Sequence, residues 1–137
     1  PGTTDQIDVN IPIAEKPQLF ATYFAGIFRA MRFGVTEAHG KGAAAQYGYL
    51  KEKGAFRWDD ARDRYVIDQA KMEAGLRDLL HDELMLQARG DYAGVKQLLD
   101  RMVVIRPQVQ HVIDRLANVP VDIAPKFVTA AELTRRQ

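Results

Sequence analysis

Glu37 and His39 are the residues whose types and spacing come closest to usable chemistry. They stand two positions apart in a stretch with helical pattern, so their side chains diverge and form no simple acid–base dyad. His39 alone can act as a hydrogen-bond donor to an oxygen that gains negative charge in a transition state, a role worth about 3 kcal/mol where the geometry is favourable. Gly40 and Gly42 beside it leave room for a ligand. The competing role is a core-edge histidine that bonds a neighbouring carbonyl, and spacing alone favours it.

Other chemistries are excluded more firmly. The chain has no Cys and no Ser, which removes disulfides, thiolate metal sites and the commonest nucleophiles. A helical zinc site needs two histidines one turn apart, whereas His39, His81 and His111 are widely separated. His81-Asp82-Glu83 is rich in ligand types, but adjacent helical positions diverge by about 100° and do not converge on one ion. His111 reads as a surface or edge residue. Gly40-Lys41-Gly42 fails as a phosphate loop, because Val35 stands where the earlier glycine belongs and Gly42 where Ser or Thr should bind Mg²⁺. A Nudix-type pyrophosphohydrolase reading also fails, since the clustered Arg-Glu and Glu-Glu helix that would hold divalent ions is missing.

The elements that must position Glu37 and His39 are helices. Leu19, Phe20, Tyr23, Phe24, Ile27, Phe28 and Met31 recur at spacings of three and four, with Pro17 suited to the first turn and Gly34 to the stop. A second helix is expected from about Thr36, its cap, to Lys53, with Gly54 ending it in a left-handed conformation and Glu37 in its first turn. Gly40, Gly42 and Gly48 lie inside it, each unfavourable by roughly 1 kcal/mol relative to Ala. Close approach of another backbone or of a ligand is the expected compensation.

Phe56-Arg57-Trp58 and Tyr65-Val66-Ile67 flank the turn-rich Asp59 to Arg64 and predict a small β-hairpin. Asp68 then caps a long helix to Gly90, with Met72, Leu76, Leu79, Leu80, Glu83 and Leu84 on or near one face. Asp91 caps a further helix, and Pro107 starts another carrying Val109, Val112, Ile113 and Leu116. Pro120 and Pro125 make residues 118–127 extended. The fold class is therefore mainly α: a compact multi-helix domain with one small β-hairpin near residues 56–67. An extended segment (1–16) precedes the helical domain (17–127), and a tail (128–137) follows it.

With 137 residues the chain can bury one workable core. Nineteen basic against eighteen acidic residues give no electrostatic reason to expect nucleic acid or an anionic membrane. No apolar run reaches the ~20 residues of a membrane span, so a soluble protein of the cytoplasm or periplasm is expected. Opening on Pro1-Gly2 rather than Met reads as a processed or truncated piece.

The stretch Phe28-Arg29-Ala30-Met31-Arg32-Phe33-Gly34-Val35-Thr36-Glu37-Ala38-His39-Gly40 resembles the distal catalytic-lobe segment of bacterial dipeptidyl peptidase III-like zinc metallopeptidases. The likeness continues through Gln46 to Gly54, Leu86 to Tyr92 and Val119 to Ile123. It implies that the chain is the C-terminal part of a larger peptidase whose zinc is held by a His-Glu-x-x-x-His helix and a further Glu, all upstream. By the same resemblance His39 helps stabilise the transition state of peptide hydrolysis, with Glu37 a weaker candidate in the cleft and Tyr47 and Lys126 as substrate contacts. Its partners would be the upstream zinc-binding lobe and a peptide. The chain itself would hold no metal and would be inactive in isolation. Two positions depart from the family pattern: Ala43 stands where better-known members carry an Arg, and Pro125-Lys126-Phe127 only loosely echoes their basic C-terminal motif. The alternative reading is a non-enzymatic helical protein-interaction module.

Overall fold

The computed structural model describes residues 15–120. They form five α-helices and one hairpin, so the mainly helical class with a single small sheet holds. Helix α1, Lys16–Met31, carries Pro17 in its first turn and buries Phe20, Phe24, Ile27, Phe28 and Met31 along one stripe. Residues 32–37 turn the chain back, with the Gly34 amide donating to the Met31 carbonyl at 2.9 Å.

Helix α2, Ala38–Glu52, starts later than its sequence pattern indicates. Glu37, not Thr36, is the N-cap, in an extended conformation (φ −79°, ψ 153°) and without a side-chain capping bond. Thr36 lies one residue before the cap, in the bend between α1 and α2. The helix lies at the centre of the molecule, in contact with α1, α3 and α4.

Its glycines divide into two kinds. A methyl group at Gly40 would overlap the Gly34 carbonyl, and one at Gly48 would overlap the Met102 carbonyl. Close backbone approach therefore accounts for both. At Gly42 a methyl would meet nothing within 4 Å, so packing among the described residues does not explain that glycine. Gly54 follows the helix with φ 69°, as its position predicts.

Strands β1, Phe56–Asp59, and β2, Arg64–Ile67, pair antiparallel with Phe56 opposite Ile67 and Trp58 opposite Tyr65. The hairpin folds over α1 and α2 through an aromatic cluster. Phe24 lies 4.5 Å from Phe56 and 5.2 Å from Phe28 between ring centroids, and Tyr47 lies 5.0 Å from Phe56.

Helix α3, Gln69–Arg89, is capped by Asp68, which accepts from the Lys71 amide at 3.1 Å, and ends at the left-handed Gly90 (φ 61°). Helix α4, Tyr92–Met102, is capped by Asp91, which accepts from the Gly94 amide at 2.8 Å. Helix α5, Pro107–Arg115, begins at its proline and runs into a 3-10 turn, Leu116–Asn118. Residue 118, read from sequence as extended, therefore closes this turn. The remainder of that stretch beyond residue 120 lies outside the described residues.

Both Asp caps satisfy an otherwise orphan amide. Asp68→Ala and Asp91→Ala are each expected to lower stability by about 1 kcal/mol, a fall of roughly 3–5 °C in Tm by calorimetry. An unchanged Tm in either would show that the bond contributes nothing.

One part of the expected α3 face is corrected. Met72, Gly75 and Leu79 are buried, but Leu80 and Leu84 remain more than half exposed at 57% and 53%. The row at i, i+3 and i+7 takes the contact with α2, and residues one position further lie about 100° round the helix. No helix among the described residues is long and apolar enough to cross a membrane.

Candidate functional site

His39 is the second residue of α2, exposed, with Glu37 at the N-cap beside it. Among the described residues neither side chain makes a hydrogen bond or ion pair. The core-edge alternative required His39 to bond a neighbouring carbonyl, and it does not. The first intrahelical bond runs from the Lys41 amide to the Glu37 carbonyl at 2.9 Å. The amides of residues 38–40 are thus the orphan donors of the helix start, and that end of the dipole favours negative charge. An oxygen gaining charge near His39 would meet an imidazole donor and the positive end of a helix together.

One turn on from His39, at i+3, the open position Gly42 begins a groove between α2, α3 and α4. It encloses about 470 Å³, with Gln46, Leu80, Glu83 and Leu84 among its lining residues. His39 and Gln46 are seven positions apart and so share one stripe of the helix. Gln46 Oε1 accepts from the Tyr23 hydroxyl at 2.7 Å. Burial, with the nearby Glu83 adding to it, pushes the Tyr23 hydroxyl up to about 12, so it stays a donor at neutral pH. That bond occupies the Gln46 oxygen, and the amide nitrogen has no acceptor among the described residues. From sequence, Tyr23 reads only as part of the α1 apolar face and Glu83 only as a helix-face residue, and Gln46 is not weighed as a site residue. The usable signal was the His39-to-Gln46 interval on one helical stripe.

Tyr47 lies elsewhere. It is 1% exposed within the aromatic core, and its hydroxyl pairs with that of Tyr65 at 3.0 Å. Burial raises the pKa of both phenols, while Tyr65 and Arg106 pull Tyr47 partly back. Tyr47 sits on the core-facing side of α2, the helix that carries His39, and lines a small cavity of about 170 Å³ with Met102 and Arg106. Lys126 lies outside the described residues. Ala43 is also buried, at 6%.

His111 Nε2 stands 3.0 and 3.2 Å from the two Asp63 carboxylate oxygens, the satisfied edge role its neighbours indicated. Asp82 accepts from the Tyr49 hydroxyl at 2.6 Å, while His81 is exposed. No group of three or more His, Asp or Glu side chains among the described residues is arranged to hold a metal ion.

No family model matches the chain. It is 39% identical over 117 residues to a protein of Arabidopsis thaliana named Nudix hydrolase 3, covering 84% of this chain and 15% of that protein. The structure of dipeptidyl peptidase III from Caldithrix abyssi matches with 39% identity and a TM-score of 0.77, over 92% of this chain and 23% of that one. The corresponding enzyme from Corallococcus sp. strain EGB matches with 38% identity and a TM-score of 0.78, over 91% and 23%. The chain thus spans about a quarter or less of the length of these relatives. The chain is similar in both sequence and fold to one part of those bacterial dipeptidyl peptidase III enzymes.

Proposed function

We propose that the chain is the C-terminal domain of a dipeptidyl peptidase III-like zinc metallopeptidase and forms one wall of its substrate cleft. The observation that carries this reading is an exposed His39 with no partner among the described residues, one turn from the open face of Gly42. A histidine in that state is available to something outside the domain. His39 donates a hydrogen bond to the carbonyl oxygen of a bound peptide as that oxygen gains charge, and the helix start adds to the field. The open Gly42 face lets an extended peptide backbone approach α2, with the free amide nitrogen of Gln46 within the same groove as a donor. Glu37 acts at most on the environment of His39. Tyr47, being buried, supports α2 from behind rather than touching the peptide. By the family resemblance, the metal of such an enzyme is held by a His-Glu-x-x-x-His helix and a further Glu upstream of this chain.

The purified 137-residue chain is expected to release no dipeptide from a chromogenic dipeptidyl substrate, with or without added zinc. Chelator-sensitive hydrolysis by this chain alone would overturn the assignment.

A second reading, a non-enzymatic module for a protein partner, draws on the exposed Leu80, Leu84 and Val95 that line the same groove. The two readings separate on turnover: the second predicts that loss of His39 weakens an association and leaves catalysis intact. The name of the Arabidopsis protein is not carried over. The chain covers 15% of it, and the glutamate-clustered helix of a Nudix site is missing from the sequence.

A further inference from the structure

We infer that a second pocket, an open cleft lined by α1, the hairpin and α5, binds an apolar carboxylate: a bulky hydrocarbon group bearing one acidic headgroup. The pocket encloses about 480 Å³, within the range of small-molecule sites. Its floor is hydrocarbon, from Phe24, Phe28, Tyr65, Val112 and Leu116. Tyr65 meets Phe24 and Phe28 at centroid distances of 5.2 and 5.4 Å, so ring contacts hold the floor in place. Helix α1 lines the opening with its smallest side chains, Ala21 and Ala25, where any larger residue would fill the space. The pocket shares no lining residue with the groove beside Gly42, and the inference is independent of the role of His39.

Charge at the mouth selects the headgroup. Asp63, Arg64 and Arg115 line it. The Asp63 carboxylate is already engaged, by His111 Nε2 and by Arg115 Nη1 at 3.0 Å each. The Arg64 side chain makes no hydrogen bond or ion pair among the described residues. The mouth therefore carries one more guanidinium than carboxylate, and the surplus group is the one left unpaired. A guanidinium fork pairs with a carboxylate through two parallel bonds. A cationic ligand would face two guanidinium groups, and a neutral one would leave Arg64 as it stands.

Trp58 also lines the pocket and is the single tryptophan of the chain, so its emission reports occupancy directly. The full 137-residue chain is titrated with 3-cyclohexylpropionate, its amide, acetate, the tripeptide Ala-Ala-Leu and the C-terminal amide of that tripeptide. Saturable change in Trp58 emission is expected with the cyclohexyl acid at a Kd on the order of 1 mM, and binding at least about 10-fold weaker with its amide and with acetate. Arg64→Gln should weaken the acid by about 10-fold. Ala25→Leu should abolish the response while circular dichroism and Tm stay unchanged, since Ala25 is exposed. Response to the tripeptide acid but not its amide identifies a peptide C-terminus as a ligand, whereas response to the cyclohexyl acid alone identifies a small carboxylic acid; both support the pocket. Equal binding of acid and amide, or no change in emission or in the Trp58 amide resonance up to about 20 mM, overturns it.

Discussion

His39→Ala in the full-length protein is expected to lower kcat by about 100-fold, the usual effect of removing one oxyanion donor. KM should stay within about 3-fold, because an interaction formed only as charge develops contributes to the transition state and not to the bound substrate. Folding should be unaffected, since His39 is exposed and makes no bond within the described residues. His39→Gln, which keeps a neutral donor, should recover part of the loss, while His39→Phe should not. Retained turnover in the alanine variant, with a weakened association instead, would replace the peptidase reading by the interaction module.

The second large effect falls on stability. Gly48→Ala places a methyl group into the Met102 carbonyl, at the crossing of α2 and α4. Backbone, unlike the end of a flexible side chain, cannot swing aside, so the helices must separate. The expected loss is about 3 kcal/mol, at the upper end of overpacking, or roughly 10 °C in Tm. Gly42→Ala in the same helix is the control, with nothing within 4 Å of the added methyl. It should stabilise the isolated chain by about 1 kcal/mol through helix propensity. In the proposed full-length enzyme the same change should raise KM, if a peptide backbone passes over that face. A stabilised chain with unchanged KM would mean that Gly42 serves no ligand.

The elements were legible where the signal is local. Asp68, Asp91 and Gly90 cap helices because each needs only a short reach along its own backbone, and Pro107 starts α5 for the same reason. The hairpin was visible in its two aromatic and β-branched runs. Contacts decided by distant residues were not visible. The helix start falls one residue after Thr36, and Leu80 and Leu84 stay exposed because α2 accepts a neighbouring row of α3. The Asp63 link to His111 spans 48 positions and leaves no periodic trace. At the site, His39 was found through its type and a family resemblance. Gln46 and Glu83 of the neighbouring groove, and Tyr23, which bonds Gln46, come from three different helices, and no single stretch of sequence holds them together. The burial of Tyr47 follows from the hairpin folding over α2, which the pattern of α2 alone does not contain.

The contact of Gly40 with the Gly34 carbonyl has a consequence beyond packing. It presses the turn after α1 against the first turn of α2, one residue from His39, so the imidazole is carried on backbone already fixed at both sides. The conformational entropy of ordering that backbone is lost when the domain folds, before any ligand arrives. In the proposed enzyme, binding does not have to supply that ordering, and more of the interaction energy with the substrate remains for the chemical step.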